Sequence, residues 1–258
     1  MKVLSIDLDY IMGPTIELYS GTFYSDQPTA RWKYLFEHTA FTESHFFIDQ
    51  AALIYCYDVF LKALQSNPKV IFGYDHDAIL FGIDDYYDID LVNIDHHDDV
   101  MGGHVPISDI DEEMREQTLH LDRDDHKHMD LRYEYDLVKE DNFVHEGNWI
   151  AWLHKEGRLN SAVWIHNPNS ANLARNDFNI NMLGDKYRHC LREDYEYEDY
   201  NFDHVFVCLS PQYIPPKQWH YITMFMMAYE AFTGKKCDVV ADRKYQWKIG
   251  YNAVTEAV

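Results

Sequence analysis

Apolar residues along this chain follow two rhythms. Short aliphatic or β-branched runs near residues 2–8, 69–74, 90–95, 161–166, 204–209 and 237–240 have the length and composition of buried strands. Between them lie longer stretches, 46–65, 146–157, 170–176 and 216–233, whose apolar residues recur at helical spacing. Within these, Trp149, Ile150, Trp152 and Leu153 read as core packing rather than a substrate platform, and Met224, Phe225, Met226 and Met227 as a buried helix face. Such alternation predicts an α/β domain over residues 1–258, a mostly parallel sheet with helices on both faces. Two stretches break the rhythm. Residues 11–44, rich in Tyr, Phe, Thr and Ser, are expected to form a wall or lid, and residues 108–146 read as a charged surface insertion. The histidines His126 and His128 of that insertion fit a mixed-charge surface better than a metal site.

The polar residues that close the strand runs carry the chemistry. Ile6-Asp7-Leu8-Asp9, Gly73-Tyr74-Asp75-His76-Asp77 and Asn93-Ile94-Asp95-His96-His97-Asp98-Asp99 each follow an apolar run. In an extended strand, alternate residues leave one face, so Asp95, His97 and Asp99 are expected to point together, as are Asp7 and Asp9. Asp7, Asp9, His76, Asp95, His97 and Asp99 are thus six candidate ligands at three strand ends, where an α/β sheet binds its ligands. Four aspartates in one cleft repel unless multivalent cations hold them. Carboxylate with imidazole and no thiolate suits manganese, zinc or iron, and the carboxylate majority favours manganese. Asp75, Asp77, His96 and Asp98 flank the ligands and are candidates to orient a ligand imidazole. His166-Asn167-Pro168-Asn169 and Ser210-Pro211 close two further strands and read as turn chemistry, and Asn148 reads as a helix cap.

Composition narrows the partners. With 44 acidic against 22 basic residues the formal charge is −22, which repels nucleic acid and anionic membranes and attracts cationic peptides. Cys56, Cys190, Cys208 and Cys237 are widely spaced, suggesting reduced thiols rather than a zinc ribbon or a disulfide framework. The chain starts directly on a strand-like run and contains no stretch of 18 apolar residues, so a cytoplasmic protein is expected.

Taken together these motifs resemble those of the arginase-like ureohydrolases, which carry Gly-Asp-His, Asp-x-His-x-Asp and Ser-x-Asp-x-Asp around a binuclear manganese site. Tyr74-Asp75-His76, Asp95 to Asp99 and Ser5-Ile6-Asp7-Leu8-Asp9 are similar to the three in turn. Their order is rotated, as a circular permutation would produce. With the N-terminal Met1 to Tyr10 and Gly147-Asn148-Trp149-Ile150, this resembles the UPF0489 group, which includes peptide arginases acting on ribosomally made precursor peptides. The resemblance implies a three-layer arginase-like fold and two Mn2+ ions. It implies that His76, Asp95, Asp99 and Asp7 hold one ion, and Asp95, His97, Asp7 and Asp9 the other. The implied reaction adds a hydroxide, made available by two cations roughly 3.5–4 Å apart, to the guanidinium carbon of an arginine residue and yields ornithine and urea. His104, after Gly102-Gly103, is the candidate to protonate the leaving amine. Asp49, ahead of the helical stretch, is the candidate to receive the guanidinium, with Glu43 a second choice.

Three other readings compete. The nearest is a small-molecule amidinohydrolase or deacetylase of the same fold. Ile6-Asp7-Leu8-Asp9 also resembles the nucleophile strand of haloacid-dehalogenase phosphatases, but residue 11 is Ile where those enzymes carry Thr or Val, and the Asp-x-His-x-Asp cluster would have no task. A metal-stabilised binding protein for a basic partner is the non-enzymatic reading, against which purely structural sites are usually closed by tight tetrahedral ligands.

Overall fold

A computed structural model describes residues 1–13, 28–38, 40–83, 85–100, 147–170 and 183–240. Seven strands form one all-parallel sheet: β1 (Lys2–Asp7), β2 (Lys69–Gly73), β3 (Ile89–Asp95), β4 (Leu159–His166), β5 (Tyr187–Leu191), β6 (His204–Cys208) and β7 (Val239–Val240). Their spatial order is β5-β4-β3-β1-β6-β2-β7. β1 and β6 are central and buried along almost their whole length, which is why they read as apolar runs without alternation.

Helices cover both faces, giving the three-layer α/β architecture expected. On one face Leu4, Ile6, Val92, Ile94, Val205 and Val207 pack against α1 (Pro28–His38), α2 (Gln50–Leu64) and α5 (Trp219–Thr233). On the other, Val3, Leu91, Ala162, Trp164 and Phe206 meet α3 (Leu80–Ile83) and α4 (Trp149–Lys155). The chain places α1 and α2 on one face as it travels from β1 to β2, and α3 and α4 on the other as it returns through β3 to β4. Right-handed crossovers produce that division. Fully burying one such aliphatic or aromatic side chain contributes about 1.5–3 kcal/mol.

Six expected strands are present with ends shifted by a residue or two, and Tyr187–Leu191 is an additional one. It lies at the edge of the sheet and exposes Arg188 and His189, so it lacks the apolar run by which the others are read. α1 falls inside the stretch read as aperiodic. Its buried stripe is carried by Trp32 and Leu35, too few positions to stand out among polar neighbours. The helix expected at 170–176 lies, past Ser170, outside the described residues, as does the insertion at 108–146. All four cysteines are free, with Cys56 and Cys208 buried and the other two half-buried. Among the described residues no helix is long and apolar enough to cross a membrane.

Candidate metal centre

Because every strand of a parallel sheet ends at the same edge, residues remote in sequence converge there. Ile6 pairs with Ile94, so Asp7 and Asp95, the last residues of β1 and β3, lie side by side. β2 is separated from β1 by β6, and His76, in the 3-10 turn that follows β2, reaches across that gap. Its Nδ1 stands 2.9 Å from Asp95 Oδ2, 2.9 Å from Asp99 Oδ2 and 3.4 Å from Asp7 Oδ2. A second cluster adjoins it, with His97 Nδ1 at 3.2 Å from Asp9 Oδ2 and 3.3 Å from Asp95 Oδ1. Donor atoms of Asp7, His76 and Asp95, and of Asp9, Asp95 and His97, each gather within 4.8 Å, so either group could hold a metal ion. All six ligand candidates therefore meet at one place, with Asp95 common to both groups.

The local path of the chain differs from the extended one expected. β3 stops at Asp95, and His97 and Asp99 lie in irregular backbone beyond it. Asp95 Oδ1 accepts the His97 amide at 2.8 Å and so curls the chain at the strand end. Asp7 does the same for Asp9, whose amide donates to Asp7 Oδ1 at 2.9 Å and opens a 3-10 turn. Asp99 then takes a left-handed conformation, φ +52°. Side chains come together by this curling, not by strand alternation. The loop is pinned from several sides: His96 spans Met12 O and Ser170 Oγ at 2.9 Å each, and Tyr187 donates its hydroxyl to Asp98 O. Burial pushes the Asp98 carboxyl up to about 7 and the His96 imidazole down to about 4. His96 thus anchors the loop and leaves the ligands to others.

Residues that the sequence did not single out as partners of the candidate ligands hold them in place. Ser5 Oγ lies 2.6 Å from His76 Nε2, leaving Nδ1 to face the carboxylates. Trp149 donates its indole N–H to Asp99 Oδ2 at 2.6 Å, and Ile150 its amide to Asp99 O, so the start of α4 positions a ligand as well as packing the core. Ser210, just past β6 at φ +41°, donates to Asp7 Oδ1. Ser5 carried a signal, since it shares a face of β1 with Asp7. Ser210 carried none, because only strand order places β6 beside β1. Asn148 occupies the N-cap position of α4 without a side-chain capping bond, contrary to expectation. Asn167 and Tyr10 act as turn and tie: Asn167 Nδ2 donates to Tyr10 O at 2.8 Å. Asp75 accepts Gln212 Nε2 at 3.0 Å.

Asp49 has structural duties. Its Oδ1 accepts the amides of Ala51 and Ala52 as the N-cap of α2, and its Oδ2 is 3.5 Å from Arg192 Nη1. Glu43 is on the surface, paired with Lys217 at 3.0 Å. His104 lies outside the described residues. Of the stretch expected as a wall, α1 is seen to join the site's surroundings through Trp32, whose indole donates to Pro211 O, one residue after Ser210.

Electrostatics mark the cluster as a place for positive charge. Burial, then the neighbouring charges of Asp9 and Asp95, push the Asp7 carboxyl well up, and burial with Asp95 pushes Asp99 up to about 8. Burial opposes a charge on His76, yet the carboxylates of Asp99 and Asp95 outweigh it and raise its pKa. Burial likewise works against ionised Asp95, but the two imidazoles hold it well below the usual carboxylate range. Without a cation the cluster keeps protons to limit repulsion. The donor geometry suits a metal instead. Octahedral ligands about 2.1 Å from a hard cation stand roughly 3 Å from their neighbours, close to the 2.9 to 3.4 Å around His76 Nδ1. His76 Nδ1 and Asp95 Oδ2 are both buried and 2.9 Å apart, a spacing that two donor atoms on a common centre would also take. The His76 side chain is 2% exposed and that of His97 28%, so the site opens to solvent on the His97 side, where the ring of Tyr213 stands 5.5 Å away. Comparisons of the chain with family models, with curated proteins and with solved structures found no match.

Proposed function

We propose that this protein is a binuclear manganese-dependent hydrolase that converts arginine residues of a peptide into ornithine with release of urea. The observation that carries the reading is the pair of carboxylate-imidazole clusters sharing Asp95, one sealed and one open to solvent. Asp7, His76, Asp95 and Asp99 would hold one ion and Asp9, Asp95 and His97 the other, with Asp95 offering one oxygen to each. Two bound divalent ions supply Lewis acidity and lower the pKa of water from about 15.7 towards neutrality, which suits attack on a guanidinium carbon. In balance, water oxygen bonds to that carbon, the bond from carbon to the side-chain nitrogen breaks, and that nitrogen gains a proton and leaves as the ornithine amine.

The chain's own residues set the approach. Substrate enters from the side of His97 and Tyr213, since the His76 side is closed by Trp149 and Phe206, whose rings lie 5.0 and 5.8 Å from the imidazole. The acidic chain favours a cationic side chain over a neutral one. His104 is the residue we assign to the proton of the leaving amine, and Asp49 the one we assign to the guanidinium. To use Asp49 the substrate guanidinium must displace that of Arg192.

Manganese-loaded protein incubated with an arginine-containing peptide, and separately with free arginine, tests the proposal. Urea with loss of one amidine unit from the peptide alone is the expected result. Urea from free arginine alone would move the assignment to a small-molecule amidinohydrolase, and none from either would overturn the substrate class.

A further inference from the structure

Below the metal ligands, on the same face of the sheet, one row of side chains runs Trp164, Asn93, Ser5 and Phe206 on β4, β3, β1 and β6. Asn93 is 0% exposed, and neither its Oδ1 nor its Nδ2 has a hydrogen-bond partner. A buried primary amide with both ends unsatisfied costs several kcal/mol as a rule. Its neighbours Leu91, Trp164 and Val3 are apolar and offer no compensation except through Ser5, which pairs with Asn93 across β1 and β3. Ser5 in turn is 2.6 Å from His76 Nε2.

Following the protons gives the amide a task. When Nδ1 of His76 faces a cation, Nε2 carries the hydrogen and donates it to Ser5 Oγ. The Ser5 hydroxyl hydrogen then needs an acceptor of its own in a buried place. Asn93 Oδ1 is the unpaired acceptor on the neighbouring strand, and strands lie only about 4.8 Å apart. We propose that Asn93 is a positioning residue for the metal site: with Ser5, and a buried water held between them, it fixes His76 in the tautomer that leaves Nδ1 to the cation. Such a water has partners in the Ser5 hydroxyl and both ends of the Asn93 amide, within the two to four a buried water needs. Asn93 touches neither substrate nor metal, and acts through Ser5 and His76.

The inference rests on the reading that these clusters bind divalent cations, and not on the substrate. Manganese affinity and stoichiometry of the wild type, Asn93→Leu, Ser5→Ala and the double variant, with the melting temperature of each in chelator, test it. Leucine fills nearly the same space without polar atoms, so a merely unsatisfied amide predicts equal or higher metal-free stability and unchanged affinity. The relay predicts unchanged or higher metal-free stability together with about 10- to 100-fold weaker binding at one of two sites. It also predicts that Ser5→Ala alone weakens the same site and that the double variant loses no more than the worse single one. Wild-type affinity at both sites in Asn93→Leu would overturn the relay and leave the metal reading standing. Failure of the wild type to bind manganese would overturn both.

Discussion

Asp95 divides its two oxygens between the clusters, Oδ2 towards His76 and Oδ1 towards His97. Removing that carboxylate should therefore empty both positions, whereas removing His97 should spare the sealed one. Elemental analysis after dialysis is expected to give close to two manganese ions per chain for the wild type, one for His97→Ala and almost none for Asp95→Ala. A count of one for both variants would show that Asp95 is not shared. Protonation of the metal-free site makes a second prediction at this scale. Asp99, pushed up to about 8 by burial and Asp95, binds a proton in the folded chain that an unfolded chain loses near 4. Asp7 and His76 shift in the same direction, and above about 6.5 the histidines that burial lowers, His96 among them, are neutral folded or unfolded, so there the folded metal-free protein holds more protons than the unfolded one. Stability of the metal-free protein should fall as pH rises from about 6.5 to about 8, by roughly 1.4 kcal/mol per pH unit for each proton the folded chain keeps and the unfolded one has lost. Manganese displaces those protons, so its stabilising effect should grow over the same range. Thermal melts with chelator and with manganese, at several pH values, read both slopes, and a flat chelator curve would contradict the buried, protonated state of the site.

At the scale of elements, the sequence was informative where a strand is central and ends in an acid. β1, β2 and β3 announce themselves as apolar runs, and among the polar residues closing them are the candidate ligands. What the sequence could not state is that β6 lies between β1 and β2, and this fact alone puts Ser210 on Asp7. Nor could it show that Asp7 and Asp95 fold the following backbone back on themselves, since that bond competes with strand extension only once the strand runs out of neighbours. α2 offers a prediction of its own. Asp49 caps its N-terminus with two bonds, and an asparagine can accept the same bonds without carrying charge. Asp49→Ala should cost about 1 kcal/mol, read as a lowered midpoint in urea, while Asp49→Asn should stay within a few tenths. As the residue assigned to the guanidinium, Asp49 predicts that Asp49→Asn raises KM for the peptide with an unchanged midpoint; an unchanged KM would leave capping and the contact with Arg192 as its whole duty.

Charge acts at the scale of the whole molecule. Two divalent ions offset only four of the 22 excess negative charges, so the loaded protein still presents a strongly acidic field to whatever approaches the open side at His97. Near 0.15 M salt that field reaches only about 8 Å, whereas at 0.01 M it reaches roughly 30 Å, far enough to draw a cationic peptide in before contact. Steering of this kind raises association rates by about 10- to 1,000-fold at low salt and leaves the chemical step untouched. For an arginine peptide flanked by lysines, kcat/KM should therefore fall about tenfold or more as salt rises from 0.01 to 0.3 M, with kcat constant. The same arginine flanked by glutamates should show the opposite slope, because screening then removes repulsion instead of attraction. Both series run with saturating manganese, so that salt does not act through the metal. Parallel slopes for the two peptides would mean that the acidity of this chain serves its solubility and has no part in choosing the substrate.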